Sequence, residues 1–451
     1  MITDGISDWQ VIQQDRDGFA DIRVQGTFHG PSASRPQCRL VDEATGRLVV
    51  PPDGWHDAMV AGDRWTVTLR VPAGGPYRFE TRLAARQLDL VGDMRHHVGV
   101  GDVWVIAGQS NAAGYGRGSV TDPPAVGVSV FAPAGRWRLA SHPLNDHTKT
   151  RYPLSRDAGR VGVSPWLAFA KALRRELGVP IGLIPTALGG SPIRRWDPAQ
   201  EGDLFGNMLA MVRDAGCTTV RGMLWYQGES DASPELAAAY RAAFVRLIDA
   251  AREAVGRDDF VTLTVQLNRV TDANAGPARA RGWAMIREIQ REIAAERPDV
   301  GVIPALDLTL SDVIHIDAPS SVVLGERMAQ LALGLAYGRA GVWRPPEVDR
   351  AAFADGERQT IELHVAHVVD GLVPLQPRGA FVVVDARGEV PIGEVTLVAP
   401  DRIRLRLTRP AEGRVVCHGA YGDDPPVGFV DGRKLPILGF LGHPVAEPAA
   451  G

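Results

Sequence analysis

The stretch GDVWVIAGQSNAAG, residues 101–114, decides the fold. Residues 103–107 are an unbroken apolar run, the pattern of a buried strand. The run stops at Gly108, and a polar turn follows at once. Ligands in α/β sheets bind beyond the carboxyl ends of strands. Ser110 therefore stands where a nucleophile belongs. A turn whose serine caps the next helix fits the same residues equally well. The block is not GxSxG, because Ala112 fills the last place, so the tight nucleophile elbow is not indicated.

Downstream the same grammar repeats. Ser164 and Pro165 open a helix that ends near Gly178, with serine as cap, proline in the first turn and glycine past the end. Strands are expected at 181–186, 223–226, 260–267 and 302–306. Ser233 and Pro234 open a long alanine-rich helix, and 319–337 make the last one. Alternating strands and helices mean a mostly parallel sheet covered on both faces. Outside this block the period changes to two. Trp65, Val67, Leu69 and Val71 alternate with polar residues, as do Ile403, Leu405 and Leu407 with arginines, which describes half-buried strands. Three domains are expected: a β domain at 1–100, an α/β catalytic domain at 101–342 and a β domain at 343–451. The terminal VAEPAAG is expected to fray.

Bulk numbers narrow the function classes. In 451 residues, 49 basic residues against 53 acidic ones leave no basic field for nucleic acid. No apolar run reaches the ~20 residues of a membrane span. Cys38, Cys217 and Cys417 form no CxxC, so neither a disulfide framework nor a zinc site is expected. His96 and His97 lack a third ligand at useful spacing, and no metal or cofactor is expected. The opening lacks a basic segment followed by an apolar run. The chain as written is expected in the cytoplasm, and in the periplasm or outside if a leader has been removed. Oligomeric state is not legible.

Three more polar motifs follow expected strands. Asp312 and His315 lie three residues apart after the last one. A serine hydroxyl needs a base, and the base needs a partner that fixes its tautomer. One loop can supply both, though an ordinary charged surface loop reads the same way. Gly189 and Gly190 follow the strand at 181–186. Glycine lets a backbone N–H reach a developing oxyanion, or simply starts a helix. The third is Trp225-Tyr226-Gln227-Gly228-Glu229-Ser230-Asp231, where the Gln227 amide is a candidate oxyanion donor. Glu229 and Asp231 suit structural or substrate-positioning roles better than acid/base ones. Convergence of four motifs on one sheet edge outweighs each alone.

Taken in order, the blocks at 101–114, 179–196, 224–232 and 312–320 resemble the SGNH hydrolase superfamily. More narrowly they resemble the sialate O-acetylesterase family and related carbohydrate acetylesterases. The resemblance is clearest over 101–340. Residues 11–28 and 419–440 look like the family's opening and closing β segments. Three departures stand out: Ala112 where methionine is common, Ser191 for threonine, and Ile316 for proline. None removes a reactive group.

The resemblance implies an SGNH-type three-layer α/β/α core flanked by β-sandwich-like domains, and a serine carboxylic ester hydrolase acting on an acetylated carbohydrate. Ser110 corresponds to the nucleophile, His315 to the general base and Asp312 to its orienting carboxylate. The N–H groups of Ser110 and Gly190, with the Gln227 side chain, correspond to the oxyanion hole. Asn111, Arg194, Trp196, Trp225 and Glu229 are candidate substrate contacts, since aromatic faces suit sugar rings and arginine suits a carboxylate. Packing remains the plainer reading of the tryptophans, and solvated charge that of Arg194 and its neighbour Arg195. Two readings compete with a sialate substrate: an acetyl xylan or xyloglucan esterase, and a lipid or thioester hydrolase on the same core. A non-catalytic carbohydrate-binding protein is the alternative from a different class.

Overall fold

A computed structural model describes every residue except 31–33, 53, 86–87, 158, 160, 273–275, 355 and 448–451. Most of the terminus expected to fray thus lies outside the described residues. The chain is mixed α/β. Its centre is a sheet with strand order Arg136–Leu139, Val128–Ala132, Ile181–Pro185, Leu90–Gly108, Gly222–Tyr226, Val261–Gln266, Val300–Pro304. All neighbours are parallel except the first pair.

Among the described residues six α-helices accompany it: α1 (Ser110–Ala113), α2 (Pro165–Leu177), α3 (Leu204–Asp214), α4 (Pro234–Val255), α5 (Pro277–Glu296) and α6 (Ala318–Leu335). Ser164 caps α2 through Trp166 N–H, with Gly178 left-handed beyond its end. Ser233 caps α4 and Asp317 caps α6. Side chains alternate across a strand, which assigns the helices to faces. Trp104 stands beside Gly222 in the sheet and meets Phe169 of α2 edge-on at 5.3 Å. Trp225, three positions from Gly222, points to the other face and stacks on Phe244 of α4 at 5.5 Å. α2 packs on α6, and α4 packs on α5. Helices therefore cover both faces, and the sheet interior is one continuous apolar core.

The strand Leu90–Gly108 joins two regions. Its first half pairs antiparallel with Gly74–Ala84 and parallel with Val11–Gln13, and its second half is the centre of the parallel sheet. The boundary expected between 100 and 101 falls inside this strand. Ahead of it, Trp65, Val67, Leu69 and Val71 share a core with Leu40, Phe79, Val98 and Val100. After 343, an eight-stranded sheet closes on its own core, with Ile403, Leu405 and Leu407 inward.

The last parallel strand begins and ends two residues earlier than the sequence pattern suggested. Helices α3 and α5 and the strands Val128–Ala132 and Arg136–Leu139 were not anticipated. In α5 the buried face includes the polar Arg287 and Gln290, which blurs the helical period. Among the described residues no helix is long and apolar enough to cross a membrane.

Candidate active site

The strand ladder carries the four motifs to one place. Beyond the strand ends, Thr186 and Leu188 N–H groups donate to the carbonyls of Ile106 and Gly108 at 2.8 and 3.1 Å. Gln109 N–H donates to Tyr226 O at 3.0 Å. The serine turn thus lies between the glycine turn and the glutamine turn, at the point where chain order reverses around the central strand. Gly108 makes this close approach possible. Its φ is +124°, and a Cβ there would lie 2.2 Å from the Tyr226 carbonyl oxygen. Only glycine fits.

Ser110 opens α1 and is buried. Its Oγ lies 2.8 Å from His315 Nε2, and His315 Nδ1 lies 2.7 Å from Asp312 Oδ2. The carboxylate can only accept, so Nδ1 carries the proton and Nε2 is free to take one from Ser110. The other Asp312 oxygen accepts from the N–H groups of Ile314 and His315 at 2.9 and 2.8 Å. Partial burial pushes the Asp312 carboxyl up. Hydrogen bonds from the His315 ring and from these two N–H groups outweigh it and hold the group below the ordinary carboxylate value. The sequence-expected trio is therefore brought together by residues 205 positions apart.

Two main-chain N–H groups in these turns have no hydrogen-bond partner among the described residues: that of Ser110, in the first turn of α1, and that of Gly190, at φ +66° and exposed. Gly189 N–H instead donates to Asp157 Oδ2 at 2.8 Å. Gln227 corrects an expectation. Its side chain is fully buried, and its amide nitrogen donates to Asp231 Oδ2 at 2.5 Å, with Gln109 Oε1 at 3.2 Å and Ser191 O at 3.3 Å. An amide has two protons. Both are engaged, so Gln227 is a brace between turns and not a free oxyanion donor.

The candidate substrate contacts divide. Trp196 and Trp225 have no exposed surface. They meet edge-on at 5.4 Å in the core beneath the site, with Trp196 donating to Ser191 Oγ and Trp225 to Tyr240 Oη. The sugar-stacking expectation is corrected for both: they fill the helix–sheet interface. Asn111 is buried as well, and its role is likewise corrected from substrate contact to brace. Its amide donates to Glu229 Oε1 at 2.8 Å, and its Oδ1 accepts Ile316 N–H at 3.1 Å. Glu229 thereby joins the brace, and its second oxygen is buried without a partner. Burial raises the Glu229 carboxyl above its ordinary value, against the Asn111 hydrogen bond. Arg195 pairs with Asp203 through Nη2 at 2.7 Å. Arg194 is exposed beside the glycine turn.

Two residues escaped the sequence reading. The Tyr115 ring lies against His315, centroids 4.9 Å apart, and its hydroxyl donates to Asp157 Oδ1 at 2.5 Å. Because Asp157 also holds Gly189 N–H, one carboxylate ties the base to the glycine turn. Tyr115 directly follows the serine block and was open to notice. Asp157 lies in irregular chain with no pattern to mark it.

A family model described as carbohydrate esterase, sialic acid-specific acetylesterase matches residues 100–334. The chain is 30% identical over 256 residues to a probable carbohydrate esterase of Arabidopsis thaliana, covering 51% of this chain and 90% of the plant protein. It is 25% identical over 204 residues to sialate O-acetylesterase of Homo sapiens, covering 38% of this chain and 39% of that protein. A carbohydrate acetylesterase from Xanthomonas citri superposes with a TM-score of 0.66 at 23% identity, covering 98% of this chain and 99% of that one. That last likeness is one of fold.

Proposed function

The chain belongs to the carbohydrate esterase, sialic acid-specific acetylesterase family, and from this premise we propose that it removes acetyl groups from a sugar through a Ser110–His315–Asp312 acyl-enzyme mechanism. Membership makes it an ester hydrolase. The observation that carries the mechanism is the unbroken hydrogen-bond chain from Ser110 Oγ through His315 to Asp312. In this reading the parallel sheet with its helices is an SGNH-type core over 101–342, with β-sandwich-like units at 1–100 and 343–451.

Ser110 Oγ attacks the acetyl carbonyl while its proton passes to His315 Nε2. Asp312 stabilises the imidazolium that forms. The tetrahedral oxyanion is held by the N–H groups of Ser110 and Gly190, worth about 3–4 kcal/mol for each donor. As the carbon–oxygen bond to the sugar breaks, Nε2 returns the proton to the leaving oxygen. Water, deprotonated by the same nitrogen, then attacks the acetyl-serine and releases acetate. Ser110→Ala should lower turnover of p-nitrophenyl acetate by about 10⁴-fold or more. Retained activity would remove Ser110 from the mechanism.

An acidic sugar such as sialic acid is the substrate class we favour, because Arg194, four residues after Gly190, is exposed and an arginine suits a carboxylate. Arg194→Ala should then raise KM for an acetylated acidic sugar and leave KM for a neutral acetylated glycan, such as xylan or xyloglucan, unchanged. Equal effects on both would sink the reading of Arg194 as a carboxylate contact.

A further inference from the structure

We propose that the C-terminal β region is part of the catalytic apparatus: through Arg287 and loop 267–272 it sets the position of the loop that carries His315. The proposal rests on the reading of His315 as the base.

Arg287 lies on α5 and is 1% exposed. It donates to four main-chain carbonyls. Two belong to the loop after the strand Val261–Gln266: Leu267 O at 2.9 Å and Asn268 O at 2.7 Å. Two belong to the C-terminal region: Ala420 O at 3.1 Å and Gly422 O at 2.6 Å. Among the described residues no carboxylate lies within ion-pair distance. A charge buried this way is tolerated only if its hydrogen bonds are filled. The planar guanidinium does here what an apolar residue could not, holding two irregular segments in one plane. Further bonds run alongside it. Val270 N–H donates to Asp423 O at 2.9 Å, and Arg279 links Asp272 and Asp423 at 3.0 and 3.1 Å.

Loop 267–272 passes this position on. Asn268 Nδ2 donates to Ile314 O at 2.8 Å, and Thr271 N–H donates to Val313 O at 2.9 Å. Val313 and Ile314 directly precede His315. From Gly422 to His315, three hydrogen bonds of 2.6, 2.7 and 2.8 Å and one peptide link complete the path. Trp283 and Gln290 of α5 fix the same loop from behind, at 2.7 and 3.0 Å. Arg287 and Asn268 are thus positioning residues, acting on the base through its backbone.

The test measures kcat and KM on p-nitrophenyl acetate for the full-length wild type, Arg287→Lys and Asn268→Ala, with His315→Ala as reference, from about pH 5 to 9. Lysine keeps the charge but cannot reach four carbonyls. Each folded brace variant should lose about 10- to 100-fold in kcat, keep KM within about threefold, and shift the acid limb of the kcat/KM profile. A protein that is merely less stable loses active enzyme without moving that limb. Wild-type kcat with an unmoved limb in a folded variant overturns the brace. Asn268→Ala cuts only the Ile314 link and carries the test if Arg287→Lys does not fold. Activity retained in His315→Ala would instead overturn the triad reading, whatever the brace variants do.

Discussion

The two halves of the site are held by different means. Ser110 sits at the end of a central strand paired on both sides, and its turn continues the ladder through Gln109 N–H and Gly108 O. Among the described residues the Asp312 and His315 loop pairs with no strand. It spans the gap between Val300–Pro304 and α6, pinned by the isolated Leu310 to Ile316 bridge and by bonds from Asn111, Asn268 and Thr271. The Asp312 side chain is 49% exposed, whereas Ser110 is 6% exposed. The sheet places the nucleophile, while hydrogen bonds from distant segments place the base. Apart from Ser110 itself, a substitution in the turn that holds the nucleophile should thus act through folding, and one at the Asp312–His315 pair through rate.

The largest effect is expected at Gly108. Gly108→Ala puts a methyl group against the Tyr226 carbonyl at a φ that alanine avoids. It should cost about 3 kcal/mol or more and abolish activity together with cooperative unfolding. A folded, active Gly108→Ala protein would erase the distinction between the two sides. Next comes Asp312→Asn, which should lower kcat by about 10²–10⁴ with KM little changed, because the amide no longer fixes the Nδ1–H tautomer. Its thermal midpoint should stay close to wild type near neutral pH, since the amide oxygen can still accept the N–H groups of Ile314 and His315. A collapse of Tm would show that this loop is fold-determining too.

The smallest effect concerns Glu229, which reaches the base loop through Asn111. Its carboxyl is raised in the folded state, so the unfolded chain ionises first. Stability from this group is complete below the ordinary glutamate value of about 4.3 and is lost as pH rises through the folded value. Glu229→Gln removes that loss. Its Tm should match wild type near pH 4 and exceed it by about 2 °C near pH 8. A difference that does not change with pH would sink this account.

Much of the fold was legible because its signals are local. The apolar run 103–107, the caps Ser164 and Ser233 and the glycine after α2 act within a few residues of themselves, and each stands where the pattern put it. The Asp312 and His315 pairing is also local, closed within one turn. The order of four motifs after four strands was enough to point to an esterase, a reading the family match shows independently. What the sequence could not determine is which side chains keep a free hydrogen-bonding group or an exposed face. Gln227 donates to Asp231 and also to Gln109, 118 positions away, and Asn111 meets Glu229 at that same separation. For Trp196 and Trp225 the sequence left sugar stacking and packing both open, and the helix layer that buries them decided for packing. Nothing in the sequence marks Arg287, two of whose carbonyl partners come from residues 133 and 135 positions later. Local periodicity fixed the elements and their ends. Burial and the ownership of each hydrogen bond depend on chain brought from far away, and only the tertiary structure decided them.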